Sequence, residues 1–268
     1  MRQVGRASSV MAAALLLTAC AGGATRRPDA GLYPVPAAFD STRLLAPPPS
    51  DVAAQTRDIE AVRAAERSRT AEQSAMAEAS STVDVFLFSS VLGPAFTAER
   101  VPRTAAFFSR VYRTALPYLQ AAKDCWNRER PFVADPQLKR LERSFASTRL
   151  RSAPAPVQAA SSPPGDSPCT APAAVTLYSP SYPSGHATVG ALMAILLADL
   201  VPERREALFA RGWEYGDARV ISGVHYPSDV EAGRMLGSLL AGLLQQDARF
   251  RADLGAVRSE LRTVLGLR

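Results

Sequence analysis

The sequence predicts an all-α protein: a single compact helical-bundle domain that follows an N-terminal leader and a proline-rich tether. Apolar residues recur at intervals of three and four over several long segments, as on the buried face of a helix. Around the apolar run at residues 83–92, where helix and strand compete, neither strand-like alternation nor a hairpin turn occurs. Proline and glycine separate the periodic segments. We therefore expect one all-α domain over residues 45–268, which is within single-domain size.

The first residues have the pattern of an export signal. Arg2 and Arg6 precede an apolar stretch, residues 10–17, that is too short to cross a bilayer as a mature helix. The tetrapeptide Leu-Thr-Ala-Cys that ends at Cys20 resembles the lipobox of bacterial lipoproteins, whose cysteine is lipidated and becomes the new N-terminus. An ordinary cleavage site is the alternative, because the small residues beside Cys20 also fit one. We expect a signal peptide at residues 1–19 and a periplasmic protein, either anchored to the outer membrane by lipid or soluble.

The two other cysteines are expected to pair. If Cys20 carries lipid, Cys125 and Cys169 remain as an even number in an oxidising compartment, which favours a disulfide. Two free buried thiols are the alternative. A bridge would close a loop of about 45 residues and stabilise the fold by about 4 kcal/mol in the chain-entropy model. It would also brace Lys123, two residues before Cys125.

Each element is predicted from local signals. Residues 20–44 are rich in proline, lack a periodic apolar face and are expected to form the tether. Asp51 and Ser184 are placed to cap helices, and Pro117 is placed to bend one. Residues 151–174 are rich in proline and serine and are expected to form a loop. The expected helices lie at residues 51–79, 83–92, 184–200, 203–222 and 228–254, with one or two more over residues 97–127 and a final amphipathic piece at the C-terminus.

Composition excludes some classes of protein. The chain is 47% hydrophobic and 21% charged, close to ordinary globular values. No run of eighteen apolar residues follows the leader, so the membrane would be reached only through the lipid anchor. The net charge of +6 is modest and without a basic patch, so no nucleic-acid partner is expected. Whether the chain forms a homo-oligomer is left open.

Both histidines of the chain lie in short runs of small, polar and cationic residues. One run, S-Y-P-S-G-H, ends at His186, and the other, R-V-I-S-G-V-H-Y-P-S-D, contains His225. A third run, K-x6-R-P, begins at Lys123 and reaches Arg130. Guanidinium and ammonium groups suit a phosphate that carries nearly two negative charges. The three runs therefore predict phosphate chemistry carried by histidine.

The predicted helices give these runs a setting. Ser184, Gly185 and His186 begin a helix, where free backbone N–H groups and the helix dipole favour an anion, and the glycine allows close approach. Lys123 and Arg130 are seven residues apart and would share one helix face, although the proline after Arg130 favours a helix end there.

Each run alone also fits ordinary structure. Lys123 and Arg130 are also expected as solvated helix charges, and Ser184 as a plain helix cap. Arg219 and Asp229 would make a normal ion pair. Only the joint occurrence of the three runs, with both histidines inside them, favours a functional site.

At these residues the chain resembles a known family. The set K-x6-R-P, P-S-G-H and R-x5-H-x3-D resembles the superfamily that joins type 2 phosphatidic acid phosphatases, bacterial class A non-specific acid phosphatases and vanadium haloperoxidases. The class A phosphatases are the most similar branch, because the resemblance extends to Ser181-Tyr182 and to the segment Leu-Leu-Ala-Pro-Pro-Pro at residues 44–49. It covers most of the chain after about residue 42.

The resemblance implies a covalent mechanism. His225 would be the nucleophile that forms a phosphohistidine, Asp229 would fix its tautomer, and His186 would act as general acid and then as base. No metal or other cofactor would be needed, vanadate would inhibit, and small phosphate monoesters would be the substrates. The groups expected to hold the phosphate oxygens are Lys123, Arg130, the Ser184 hydroxyl, the Gly185 amide and Arg219.

Two departures from the family pattern bear on the class and the substrate range. Ala218 stands where the third motif usually has serine, and Pro180 and Ala187 replace a glycine and a threonine around the second. The alternative functions are a lipid phosphate or pyrophosphate phosphatase, a vanadium-dependent haloperoxidase in which the third-motif histidine binds vanadate, and an oxyanion-binding lipoprotein without catalysis.

Overall fold

Helices are the only regular elements in the part of the chain that the computed structural model describes, residues 31–141, 169 and 178–267. This confirms the predicted all-α class. Two short 3₁₀ segments, Val85–Phe88 and Pro202–Arg204, precede α4 and α8. The α-helices in chain order are α1 (Ser41–Leu44), α2 (Val52–Ser68), α3 (Ala71–Ala79), α4 (Ser89–Leu92), α5 (Pro102–Trp126), α6 (Pro131–Ala134), α7 (Gly185–Leu200), α8 (Arg205–Ile221), α9 (Pro227–Leu244) and α10 (Ala248–Leu265).

Helix α7 lies at the centre of the molecule and is apolar on nearly every side. Leu192, Leu196 and Leu197 have no exposed surface, and burying each such side chain contributes roughly 1.5–3 kcal/mol. Helices α8 and α9 pack most extensively against α7, and α5 and α10 also contact it. The core is therefore built around the helix whose first residues carry the second predicted motif.

Two glycines let α9 approach α7 closely. A Cβ at Gly233 would collide with the carbonyl oxygen of Ser184, and one at Gly237 would collide with that of Thr188. With the two backbones this close, the Ser184 amide donates to the carbonyl oxygen of Asp229 at 2.9 Å. The start of α7 and the first turn of α9 are thus joined directly.

The folded unit begins earlier than the sequence indicates. We expect the tether to extend to residue 44, but the compact unit of the structure starts at Gly31. Tyr33 is buried, packs against Phe107 and Phe250, and donates from its hydroxyl to Asp253 at 2.8 Å. An aromatic ring that fills the space between α5 and α10 holds this segment on the domain. Periodicity alone did not reveal it.

Several predicted helix bounds need correction. The helix expected over residues 51–79 is two helices, because Thr70 starts α3 with a capping box formed with Gln73. The helix expected over residues 228–254 ends at Leu244, and Asp247 caps α10. The N-caps expected at Asp51 and Ser184 are confirmed. Helix α5 includes Pro117 as a single element.

Some predictions concern residues outside those described. The predicted leader, the predicted lipidation site at Cys20 and the loop expected at residues 151–174 lie there, apart from Cys169. Among the described helices, none combines the length and apolar character needed to cross a bilayer.

The structure contains the expected disulfide. Cys125, near the C-terminal end of α5, is bonded to Cys169, with a sequence separation of 44. Cys125 is buried in the main core. The bridge therefore ties the end of α5, where Lys123 lies, to a distant part of the chain.

Removing this disulfide should destabilise the protein by about 4 kcal/mol, because the unfolded chain regains the entropy of a loop of that length. The measurement is chemical denaturation of Cys125→Ala/Cys169→Ala beside the wild type. Reducing agent should shift the wild type toward the double variant and leave the variant itself unmoved. An equal denaturation midpoint for both proteins would contradict the expectation.

Candidate active site

The three predicted runs converge on one place. Lys123 lies in the last turn of α5, Arg130 is the N-cap of α6, and Arg219 lies in the last turn of α8. The other predicted residues occupy the start of α7 and the loop and first turn of α9: Ser184, Gly185, His186, His225 and Asp229. Of the eight, only Gly185 and His186 are partly exposed. The site therefore opens to solvent beside His186.

Lys123 and Arg130 meet although they do not share a helix, which corrects the expectation of one helix face. Helix α5 ends at Trp126, and Asn127 turns the chain with a left-handed backbone, φ 39°. The Lys123 ammonium donates to the carbonyl oxygen of Pro180 at 2.5 Å, and an Arg130 Nη lies 3.5 Å from the same oxygen. The turn at Asn127 thus brings together two cations that a continuous helix would have placed about two turns apart.

The partners of His225 define its tautomer. Its Nδ1 lies 3.2 Å from Asp229 Oδ2, and its Nε2 lies 3.2 Å from Arg130 Nη1. A carboxylate only accepts hydrogen bonds and a guanidinium only donates them. Neutral His225 therefore carries its proton on Nδ1 and presents the Nε2 lone pair toward Arg130, where the cations gather. This is the form in which an imidazole can act as a nucleophile.

Asp229 is completely buried and accepts hydrogen bonds from several directions. The Tyr226 amide donates to Oδ2 at 2.9 Å, and the Ser181 hydroxyl donates to the same oxygen. Arg128 Nη1 donates to Oδ1 at 2.6 Å. Arg128 occupies an unspecified position of the first motif, so the motif does not point to it. The signal that could have found it is physical, because a buried carboxylate needs a cationic partner.

Ser80 and Ser81, which precede the 3₁₀ segment Val85–Phe88, contact Arg219 and His186. Arg219 Nη1 donates to the Ser80 carbonyl at 3.2 Å, and His186 Nε2 lies 2.9 Å from the Ser81 carbonyl. Because a carbonyl only accepts, the neutral His186 ring carries its proton on Nε2. No motif pointed to Ser80 or Ser81, whose contribution is through their main-chain oxygens. The Arg219 carbonyl in turn accepts from the His225 amide at 3.3 Å.

The start of α7 has the expected cap. The Ser184 side chain accepts from the Ala187 amide at 3.4 Å. A hydroxyl that accepts this bond still has its own proton to donate. Gly185 lies against α5, where a Cβ would be 3.1 Å from Leu119 Cδ2. Packing thus gives a reason for glycine at this position, and its approach to a bound anion stays a prediction.

Burial and the neighbouring cations lower the pKa values of both histidines. Burial lowers the pKa of His225 well below its ordinary 6.5, and the charges of Arg130, Lys123 and Arg219 lower it further. Burial, followed by the charge of Arg219, lowers the pKa of His186 to about 3. The pKa of Lys123 is also lowered, by burial and then by Arg130. A bound anion would offset the cations and raise all three pKa values.

The described residues contain no group of three or more His, Cys, Asp or Glu side chains placed to hold a metal ion. The side chains that converge on the site are instead cations, hydroxyls and imidazoles. Such groups bind a phosphate-like anion through charge and hydrogen bonds.

Comparisons with known proteins find a matching superfamily and proteins named acid phosphatases. The family model described as PAP2 superfamily matches residues 105–252. The chain is 48% identical over 81 residues to a non-specific acid phosphatase of Salmonella typhimurium, covering 30% of this chain and 32% of that protein. It is 29% identical over 174 residues to an acid phosphatase of Zymomonas mobilis, covering 65% of this chain and 55% of that protein.

Two further similarities are also to proteins named phosphatases. A lipid A 1-phosphatase of Rhizobium etli is 47% identical over 68 residues, covering 24% of this chain and 29% of that protein. A solved structure, the transmembrane PAP2-type phosphatidylglycerolphosphate phosphatase of Bacillus subtilis, has a TM-score of 0.43 at 18% identity, covering 75% of this chain and 90% of that one. The chain thus spans less than two thirds of the length of these curated relatives.

The low pKa of His186 should make the free protein sensitive to acid. Between about pH 6.5 and pH 3, His186 is protonated in the unfolded chain but neutral in the folded protein. The free energy of unfolding should therefore fall as the pH falls through that range. Urea denaturation between pH 4 and 7 should show a shallower fall for His186→Asn, by up to about 1.4 kcal/mol per pH unit. Asparagine keeps a donor for the Ser81 carbonyl. Equal slopes for the two proteins would contradict the prediction.

Proposed function

The chain belongs to the PAP2 superfamily, and on that premise we propose that it is a phosphatase that hydrolyses small phosphate monoesters through a phosphohistidine, without a metal ion. One observation carries the proposal. The Nε2 lone pair of His225 faces a cluster of buried cations, while its Nδ1–H faces a carboxylate held by three other donors. An oxyanion-binding protein would need the cations but not an imidazole oriented in this way.

In the first chemical step His225 Nε2 attacks phosphorus and the bond from phosphorus to the ester oxygen breaks. His186, protonated once the bound phosphate offsets the neighbouring cations, gives its proton to the leaving oxygen. The charge that develops on His225 is stabilised by Asp229. The products of this step are the free alcohol and the phosphohistidine.

In the second step water attacks the phosphohistidine. His186, now neutral, takes a proton from that water as the bond between phosphorus and Nε2 breaks. Inorganic phosphate leaves, and His225 returns to its starting tautomer. Both steps pass through a phosphorus centre with three equatorial oxygens.

Those three oxygens are assigned to five groups around the site: Lys123, Arg130, the Ser184 hydroxyl, the Gly185 amide and Arg219. In the structure the three cations donate to main-chain carbonyls of Pro180, Val224 and Ser80. A phosphate dianion is a stronger partner for a cation than a carbonyl is. The N-terminus of α7 adds its dipole on the same side.

The choice of substrate is supported by the relatives, two of which are named acid phosphatases. A lipid phosphate is the second candidate, because another relative is named a lipid A 1-phosphatase. The two candidates share the reaction at phosphorus and differ only in the leaving group. Comparing an aryl phosphate with a lipid phosphate in mixed micelles separates them.

Replacing His225 by alanine should abolish turnover, because it removes the imidazole proposed to attack phosphorus. We expect kcat/KM for a chromogenic aryl phosphate to fall by at least about 10³-fold, a loss typical of removing a nucleophile. EDTA should leave the wild-type rate unchanged, and vanadate should inhibit it.

Arg63→Gln is a suitable control, since it changes a charge on α2 away from the cation cluster and should retain the wild-type rate. Activity that survives in His225→Ala, or that EDTA removes, would overturn the mechanism. A folded wild type that hydrolyses neither kind of ester would overturn the proposed function.

The rate should have an acidic optimum. The free enzyme needs neutral His225, and because its pKa is lowered, the fall of kcat/KM on the acid side should begin well below pH 6.5. The complex needs protonated His186, so kcat should fall on the alkaline side as that proton is lost. Steady-state rates between pH 3.5 and 9 test both limbs. A rate that still rises at pH 9 would contradict these roles.

A further inference from the structure

Arg128 lies next to the site but outside the set of groups assigned to phosphate. It contacts Asp229 through Oδ1, at 2.6 Å from its Nη1, whereas His225 faces Oδ2. The two carboxylate oxygens thus have separate partners. A carboxylate held at both oxygens has little freedom to rotate about the bond to its Cβ, so its orientation toward the imidazole is defined.

Arg128 is itself held from the opposite side. Its Nη2 donates to Asp58 Oδ2 at 2.7 Å, and Nη1 also donates to the Ser228 hydroxyl at 2.7 Å. The Ser228 hydroxyl donates to Asp58, whose Oδ1 lies 3.3 Å from the Ser228 amide. The guanidinium carbon lies 4.0 Å from the centre of the Tyr226 ring. Four contacts, to Asp229, Asp58, Ser228 and the Tyr226 ring, therefore define the position of the guanidinium.

These groups come from distant parts of the chain and are shielded from water. Asp58 belongs to α2, Asp229 to α9, and Arg128 to the turn between α5 and α6. Their side chains are 9%, 0% and 12% exposed, so water screens the ion pairs only weakly. Asp58 is the only one of the three without a contact to the active-site residues themselves.

We infer that Arg128, anchored by Asp58, is a positioning residue that holds the Asp229 carboxylate in place against His225, an inference that rests on the proposed function. Neither residue is among the groups assigned to the phosphate oxygens. Helix α2 thereby contributes to catalysis through a chain of contacts from Asp58 to Arg128, Asp229 and His225. Such partners of a histidine–carboxylate pair fix the ring and tune its basicity.

The charge of Arg128 has a consequence that a purely structural contact would lack. His225 is faced by Asp229 and by the cationic or titratable groups Lys123, Arg130, Arg219 and His186. Arg128 offsets the negative charge of Asp229. Its removal leaves that charge to stabilise the imidazolium, so His225 should bind a proton more readily. Removal of Asp58 takes away a negative charge beside Arg128, so it should not make His225 bind a proton more readily.

The test compares Arg128→Gln, Arg128→Lys, Asp58→Asn and the double variant Arg128→Gln/Asp58→Asn with the wild type. Arg63→Gln is the matched control, because it breaks the ion pair between Arg63 on α2 and Asp135. Steady-state kinetics give kcat, KM and their pH dependence. Histidine NMR gives the titration of His225 directly, since the chain has two histidines and His186→Asn assigns them.

We expect Arg128→Gln to lower kcat by about 10- to 100-fold with little change in KM, as when partners that orient a histidine are removed. The acid limb of kcat/KM and the His225 titration should both move to higher pH. Asp58→Asn should lower kcat less and move neither upward. The double variant should be no slower than Arg128→Gln, Arg128→Lys should regain part of kcat, and Arg63→Gln should match the wild type.

A loss of kcat in Arg128→Gln without a shift of the His225 titration would overturn the inference, as would shifts in the same direction for Arg128→Gln and Asp58→Asn. If Arg128→Gln does not fold, Arg128→Lys carries the test, because it keeps the charge and changes the geometry: it should lower kcat without moving the His225 titration, and an unchanged kcat would overturn the inference. The NMR titration needs no turnover. A wild type without phosphatase activity would therefore refute the proposed function, while the titration would still decide the role of Arg128.

Discussion

The buried carboxylate of Asp229 is the group on which the rest of the site depends. A carboxylate with no exposed surface is tolerated only when charged and polar partners replace its lost hydration. Here the partners are His225, Arg128, Ser181 and the Tyr226 amide. Its own main-chain oxygen accepts from the Ser184 amide, so the same residue also joins α9 to the start of α7. Asp229 thus both orients His225 and positions the motif that begins α7.

The site also holds three buried cations, Lys123, Arg130 and Arg219. Burial together with the charges of neighbouring cations lowers the pKa values of Lys123, His186 and His225. Main-chain carbonyls accept hydrogen bonds from the three cations and carry no charge that would neutralise theirs. A rigid helical core can hold such an arrangement, because the burial of α7 and its neighbours stabilises the fold independently of the site. Preorganised charge of this kind favours an anion without rearrangement when it arrives.

The sequence by itself determined the helical class, the caps at Asp51 and Ser184, and the residues that gather at the site. These features depend on local signals, since periodicity and capping involve residues only a few positions apart, and both histidines of the chain lie within the motifs. Local signals also explain the errors. The break before Thr70 and the cap at Asp247 are polar signals inside segments that otherwise resemble continuous helix.

Only the tertiary structure decided how the site is held. Tyr33 belongs to the core because α5 and α10 leave a space that its ring fills, and no local pattern shows that space. Lys123 and Arg130 meet through a left-handed turn rather than along one helix. Arg128 meets Asp229 across 101 positions of sequence and Asp58 across 70, and Asp58 meets Ser228 across 170. The partner that a buried charge requires can be expected from its chemistry, but which residue supplies it is decided by the packing of helices that are far apart in the chain.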